Sequence, residues 1–252
     1  MQAGTVAMPA TRRRIGMLTP SSNTVLEPVS SAMVAAHSDV SLHFARFRVT
    51  EISLAASSLS QFATDGMLAA ARLLADARVD AISWNGTSGS WLGLERDHAL
   101  CALITQETGI PATSSVLTMV EALRAAGLRR IGLVTPYVEE VQARIIATLT
   151  GEGFELTGER HCGLSENFAF ADVTLATVDS LLRAVAATRP DALVIVCTNM
   201  RAGPLASTIE AELGIPVLDS IATALLGGLM LADVDPGRIK GWGRLFQGLL
   251  TA

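Results

Sequence analysis

Lysine is nearly missing from this chain: of its 19 basic residues, Lys240 alone is a lysine and the rest are arginines. Pyridoxal-phosphate enzymes hold their cofactor through a lysine Schiff base. Lys240 falls in a glycine-rich tail beyond the last clear helical pattern, with no framework to present it. The Gly-Lys pair of a phosphate-binding P-loop is absent. No G-x-G-x-x-G follows an apolar run, and the nearest candidate, Gly86-Thr-Ser-Gly89, lacks the spacing. No cofactor is therefore expected. The three cysteines, Cys101, Cys162 and Cys197, exclude a disulfide scaffold. His161-Cys162 has no second pair at ligand spacing, so no metal is expected and the pair reads as surface loop. A net charge of −5 and a pI near 5.4 supply no basic field for nucleic acid. No apolar run reaches the roughly 20 residues of a membrane span; the longest, from Ala222 to Ala232, is broken by Thr223, Gly227 and Gly228. The first 20 residues hold no apolar signal core, and Arg12-Arg-Arg14 sits late in them, so a cytoplasmic protein is expected.

What is present is enough for a packed core. The 252 residues are 50% hydrophobic and 17% charged, with a mean hydropathy of +0.41, which excludes a disordered chain. That length allows one large domain or two of about 100–150 residues. The chain also repeats itself. Arg13-Arg-Ile-Gly-Met-Leu-Thr-Pro20 returns as Arg129-Arg-Ile-Gly-Leu-Val-Thr-Pro136, 116 positions on. Val79-Asp-Ala-Ile before Gly86-Thr87 returns as Pro190-Asp-Ala-Leu before Cys197-Thr198, 111 on. Gly109-Ile-Pro111 returns as Gly214-Ile-Pro216, 105 on. Three matches in one order imply two similar halves.

Each half follows one pattern. The apolar runs Ile15–Leu18 and Ile131–Val134 end in Thr-Pro, as buried parallel strands entering loops. Leu68–Ala77, with Leu73 and Leu74 assigned to one face, and Val141–Leu149 have helical spacing. Ala81–Ser83 and Ala192–Val196 read as further strands. Ala99–Thr108 and Ala206–Leu213 read as helices closed by Gly109 and Gly214. Alternating strands and helices predict parallel sheets with right-handed crossovers. The fold expected is α/β, with two Rossmann-like (flavodoxin-like) lobes related by a pseudo-twofold axis. The first lobe would take residues 13–111 and 221–250, the second 112–220, with the helical stretch Ala222–Leu231 returning to the first.

Open parallel sheets bind ligands beyond the carboxyl ends of their strands. There the halves place Pro20-Ser-Ser-Asn-Thr24 and Gly86-Thr-Ser-Gly-Ser90, then Pro136-Tyr137 and Cys197-Thr-Asn199. Facing lobes bring these four loops around one cleft, whose exposed backbone N–H groups suit carboxylates. The repeat aligns Gly86 with Cys197. One half offers a thiol where the other has no side chain, which predicts protonation of a carbanion from one face only. Helix N-termini lower thiol pKa values, so an acid/base thiol is expected. Cys197 could instead be an inert core thiol, and Thr87 and Ser88 could merely cap a helix. Trp84 and Trp91 flank the Gly86 loop, as core packing or as an aromatic wall. Cys101, inside a helical apolar pattern, reads as core, and Glu139-Glu140 as a solvated first helical turn. His37, His43 and His98 are scattered and carry no site.

At Gly86-Thr-Ser, Val134-Thr-Pro-Tyr137, Cys197 after an apolar strand, and Gly243-Arg-Leu-Phe246, the sequence resembles the aspartate/glutamate racemase superfamily, in the branch holding arylmalonate decarboxylase and maleate cis-trans isomerase. The resemblance runs from Arg14 to Phe246. It implies two pseudosymmetric α/β lobes, no cofactor and a small dicarboxylate substrate. Gly86 in a cysteine's place is decarboxylase-like; Pro20-Ser-Ser-Asn-Thr24 and Thr87-Ser-Gly-Ser90 look more like the isomerase. The resemblance implies that Thr87, Ser88 and Tyr137 hold one carboxylate of a malonate, an apolar pocket expels the other as CO2, and Cys197 protonates the α-carbon. Pro20, Ser22, Asn23, Gly86, Thr198 and Asn199 would bind substrate. Isomerisation of a small unsaturated diacid, with Asn23 gripping a carboxylate, is the alternative; a carboxylate-binding protein without catalysis is the alternative of another class. Nothing in the sequence sets whether two copies associate.

Overall fold

A computed structural model describes residues 12–249. Eight strands form two four-stranded, all-parallel sheets. The first contains β1 (Arg13–Pro20), β2 (Val40–Phe47), β3 (Ala81–Trp84) and β4 (Ala112–Ser114), in the order β2-β1-β3-β4. The second contains β5 (Arg130–Tyr137), β6 (Glu155–Leu164), β7 (Ala192–Ile195) and β8 (Val217–Asp219), in the order β6-β5-β7-β8. Identical strand orders are the structural form of the sequence repeat. The central strands are apolar and buried on both faces, as a sheet covered by helices requires.

The helices are α1 (Leu26–Val34), α2 (Ala56–Leu59), α3 (Thr64–Asp76), α4 (Gly89–Leu92), α5 (Leu94–Thr108) and α6 (Ser115–Ala125), then α7 (Glu139–Gly151), α8 (Leu175–Ala186), α9 (Ala206–Leu213) and α10 (Ser220–Leu231). Both Gly-Ile-Pro stops act as expected: Gly109 and Gly214 each adopt φ +72°, the left-handed cap that glycine adopts without strain. In α3 the face is Met67, Ala70, Ala71 and Leu74; Leu73 is 64% exposed, because neighbouring helical residues stand about 100° apart. The Thr-Pro pairs fall inside strands rather than after them. Pro20 pairs with Phe47 in register, and Pro136 sits in the irregularity between Thr135 and Tyr137, where no amide hydrogen is needed. His161 and Cys162 lie in the edge strand β6 rather than in a loop.

The first sheet runs past the expected boundary at residue 111: Ile82, Ser83 and Trp84 pair with Ala112, Thr113 and Ser114. The Gly-Ile-Pro signal ends a helix, and the strand after it still belongs to the same lobe, as β8 shows in the second. Helix α10 returns to pack on α6, β3 and β4. Two glycines permit this approach. A Cβ on Gly227 would stand 2.2 Å from Thr118 Oγ1, and one on Gly228 would stand 2.5 Å from Ile15 Cγ2. Residue 250 of the expected first lobe lies outside the described residues.

Candidate active site

The carboxyl ends of β1, β3, β5 and β7 converge. Cys197 follows β7 by two residues and is 2% exposed. Its Sγ accepts from the Asn199 N–H at 3.3 Å. Tyr137 ends β5, and its buried hydroxyl shares a 2.7 Å hydrogen bond with Thr87 Oγ1, which follows β3. The same hydroxyl faces Cys197 and favours its thiolate. Tyr137 therefore stands between Thr87 of the first lobe and the thiol of the second. Trp91 and Phe170 pack edge-on to the Tyr137 ring at centroid distances of 5.2 and 5.3 Å, fixing the hydroxyl by apolar contact.

These groups enclose a cavity of about 20 Å³, room for roughly one water. It is lined by Pro20, Gly86, Thr87, Tyr137, Cys197 and Thr198, together with Trp84 and Trp91, which are therefore an aromatic wall as well as core. Val49, Ile52, Phe62 and Asn167 complete it. No charged side chain is among its lining residues. A carboxylate entering this space would meet neutral donors only. The 49–62 segment is tied across the lobes, Ile52 N–H to the Ser165 carbonyl at 2.8 Å and Asn167 N–H to the Thr50 carbonyl at 2.9 Å.

Ser22, Asn23, Ser88 and Asn199 stand behind the cavity lining. Asn23 Nδ2 donates to Thr198 Oγ1 at 3.1 Å, and its Oδ1 accepts from the Val25 and Leu26 N–H groups. Asn199 Oδ1 accepts from Thr24 N–H at 2.9 Å, and its Nδ2 donates to the Asn167 carbonyl. Ser22 Oγ donates to the Val49 carbonyl and accepts from Asn167 Nδ2 at 2.7 Å. Thr198 Oγ1 donates to the Asn85 carbonyl at 2.7 Å. These bonds clamp lobe to lobe and hold the cavity wall. Ser88 is buried at the start of α4 without a side-chain cap bond. Val49, Ile52 and Asn167 fall in the segments 41–61 and 165–172, on which pocket shape depends but whose side chains the sequence does not place, and Phe62 lies just beyond the first; these segments carry neither repeat nor apolar run.

Burial pushes the Cys197 thiol up to about 12, against the Asn199 N–H and the Tyr137 hydroxyl, which favour the thiolate; Asp219 and Cys162 add to the rise. The lowered pKa expected from nearby helix N-termini is not found, because burial dominates. Tyr137 is likewise raised by burial and stays a neutral hydroxyl. Two buried carboxyls lie close by. Asp97 is raised to about 7 by burial, opposed by Ser114, Arg96 and Trp84. Asp219 is raised to about 7 although its Oδ1 caps α10 through the Ile221 and Ala222 N–H groups. Cys101 sits in the core, raised to about 12 by burial. His161 lies between Glu139 and Glu159 at 3.2 and 3.0 Å. Among the described residues no cluster of His, Cys, Asp or Glu could hold a metal, and no helix is long and apolar enough to cross a membrane.

Two pseudosymmetric parallel-sheet lobes around a buried thiol define a protein of the aspartate/glutamate racemase type. A family model described as arylmalonate decarboxylase matches residues 15–246, and the chain belongs to that family. Its relatives carry two activities by name. A maleate isomerase of Nocardia farcinica is 29% identical over 244 residues, 93% of this chain and 96% of the relative. A solved structure of a Nocardia farcinica maleate cis-trans isomerase, a cysteine-to-serine variant with a covalently bound succinylcysteine, covers 93% of this chain and 98% of its own, at 27% identity and a TM-score of 0.85. An arylmalonate decarboxylase of Bordetella bronchiseptica is 33% identical over 180 residues, 70% of this chain and 75% of the relative. A liganded decarboxylase variant, glycine to cysteine and cysteine to serine, covers 93% of this chain and 98% of its own, at 26% identity and a TM-score of 0.81.

Proposed function

We propose that the protein is a cofactor-independent decarboxylase of malonate-type diacids. One carboxylate of the substrate lies against Thr87 and Tyr137. The other faces the apolar wall of Trp84, Trp91, Phe62 and Ile52, where charge is costly. The bond from the α-carbon to that carboxylate breaks, CO2 leaves, and its electron pair passes into an enediolate. Donors already in place stabilise the new charge; losing one such donor typically costs about 3 kcal/mol. The Cys197 thiol gives its proton to the α-carbon, and the thiolate recovers one from solvent. A thiol at about 12 keeps its proton at neutral pH and, as a thiolate, retrieves one readily. The cavity must widen to admit a diacid.

The observation that carries this reading is the single thiol: Cys197 on one face and glycine at the matching position on the other. Cis-trans isomerisation is the second reading, supported by the backbone likeness to the Nocardia enzyme. The succinylcysteine there forms in a variant already lacking one cysteine. Among the described residues this cavity offers Cys197 alone, held as the less nucleophilic thiol.

Proton NMR in heavy water, with phenylmalonates and maleate supplied together, tests both. Loss of a carboxylate with deuterium at the α-carbon of one enantiomer is expected. Fumarate formation instead would transfer the chemistry to isomerisation by one thiol. No turnover, with a ligand-induced melting shift, would favour a carboxylate-binding protein.

A further inference from the structure

The glycine at position 86 is only part of what removes the second thiol. A Cβ built there would lie 1.9 Å from Cζ2, 2.2 Å from Cη2 and 2.6 Å from Cε2 of Trp84, in the space already taken by the six-membered ring of the indole. Real Cβ atoms essentially never come within 3.0 Å of a non-bonded heavy atom beyond their chain neighbours, and an indole wedged in a core cannot yield as a flexible chain end would. Trp84 is wholly buried, with Phe47 tilted against it at a centroid distance of 5.2 Å and an interplanar angle of 47°. Its Nε1 completes no hydrogen bond, and the carboxyl of Asp97, itself buried under Gly89, faces that N–H. The ring is thus held by Phe47 and by complete burial. In the second lobe the repeat puts Ile195 at the matching position, leaving Cys197 free to present its thiol.

We propose that Trp84 is the residue that makes the site one-sided: its indole occupies the place of a first-lobe acid/base group, so a thiol there requires both a new side chain at 86 and a smaller one at 84. The consequence for catalysis rests on the decarboxylase reading above; the packing claim does not. An enediolate in the cavity meets a proton donor on the Cys197 side and an aromatic surface on the other. The indole selects a substrate whose α-substituent is flat and apolar enough to lie on it, and it bars the second proton transfer that would scramble the product.

The test is a cycle of Trp84→Leu, Gly86→Cys and the double variant. Calorimetry should show Gly86→Cys lowering Tm by about 6 °C in the native background and by under about 2 °C in the Trp84→Leu background. In heavy water the wild type should exchange the α-hydrogen of one enantiomer of 2-phenylpropionate, and each single variant, at a reduced rate, should exchange that same enantiomer only. The double variant should exchange both. Gly86→Cys as stable as wild type, or already exchanging both enantiomers alone, would overturn the proposal. Coupled stability without second-face exchange would overturn its catalytic half. If the wild type handles neither malonates nor 2-phenylpropionate, the decarboxylase reading has failed, and the melting cycle still decides whether the indole holds the position.

Discussion

In the second lobe, β7 ends two residues before a thiol; in the first, β3 ends on an indole whose ring covers the glycine at the corresponding place. The lobes share strand order, helix stops and the loops that converge on the cavity. At the ends of β3 and β7 they differ in the side chains at 84 and 86 against 195 and 197. A duplicated fold fixes where chemistry can occur twice. On the proposal above, volume decides which copy keeps it: a glycine alone leaves a vacancy, whereas a tryptophan beside it leaves none. On the proposed reading the first lobe is a binding wall that contributes Thr87, and the second holds the reactive atom.

Replacing the reactive atom should break this division most completely. Cys197→Ala is expected to lower decarboxylation with product protonation by about a thousandfold, read by single-turnover NMR. If half the activity survived, the proton would have to come from elsewhere. Tyr137→Phe tests the group that joins the lobes. It retains the ring packing on Trp91 and Phe170 but loses the link from Thr87 to the thiol, and kcat should fall about a hundredfold with little change in Tm.

Asp219 sharpens the comparison through stability. Burial holds its folded pKa near 7, above the ordinary 3.8. Between those values the folded chain keeps a proton that the unfolded chain has released. The contribution of Asp219 to stability is therefore full below about pH 4 and is lost as pH rises through 7. Asp97 in the first lobe behaves alike, with its pKa also raised to about 7. Asp219→Asn preserves the α10 cap and should remove roughly half of that fall in urea melts at pH 4 and pH 7. An unchanged fall would show that the carboxyl reaches solvent. The smallest effect is expected at Asn23→Ala, which frees the Val25 and Leu26 N–H groups and cuts the tie to Thr198. About 1 kcal/mol of stability should be lost while kcat stays within a few-fold.

Much of this architecture was legible in the sequence because repeats and buried apolar runs are strong signals. β1, β3, β5 and β7 are central strands, apolar on both faces, and their copies in the second half reinforced each reading. The edge strands β2 and β6 gave less: they carry polar residues such as His43, Arg46, Glu159 and Arg160, and their partly exposed faces lack a continuous run. The site was legible where the repeat placed it, at Gly86-Thr87, Tyr137 and Cys197-Thr198. The roof at 49–62 and Asn167 were not, since they reach the cavity through backbone bonds between lobes that no local pattern encodes. The indole at 84 was visible as a residue but not as an obstruction, because a clash depends on rotamer and neighbours rather than on spacing.

Helix α10 has a consequence for how the chain comes into being. β1 and β3 are among the early strands synthesised, yet the layer that covers them through Gly227 and Gly228 lies beyond residue 219. A nascent chain on the ribosome can complete the interior of the second lobe before the first has its final cover. Until the last helix emerges, the early sheet presents an apolar face that must be shielded from other chains. Stalled or C-terminally shortened products should aggregate through the first lobe, although every residue of that sheet has already been made.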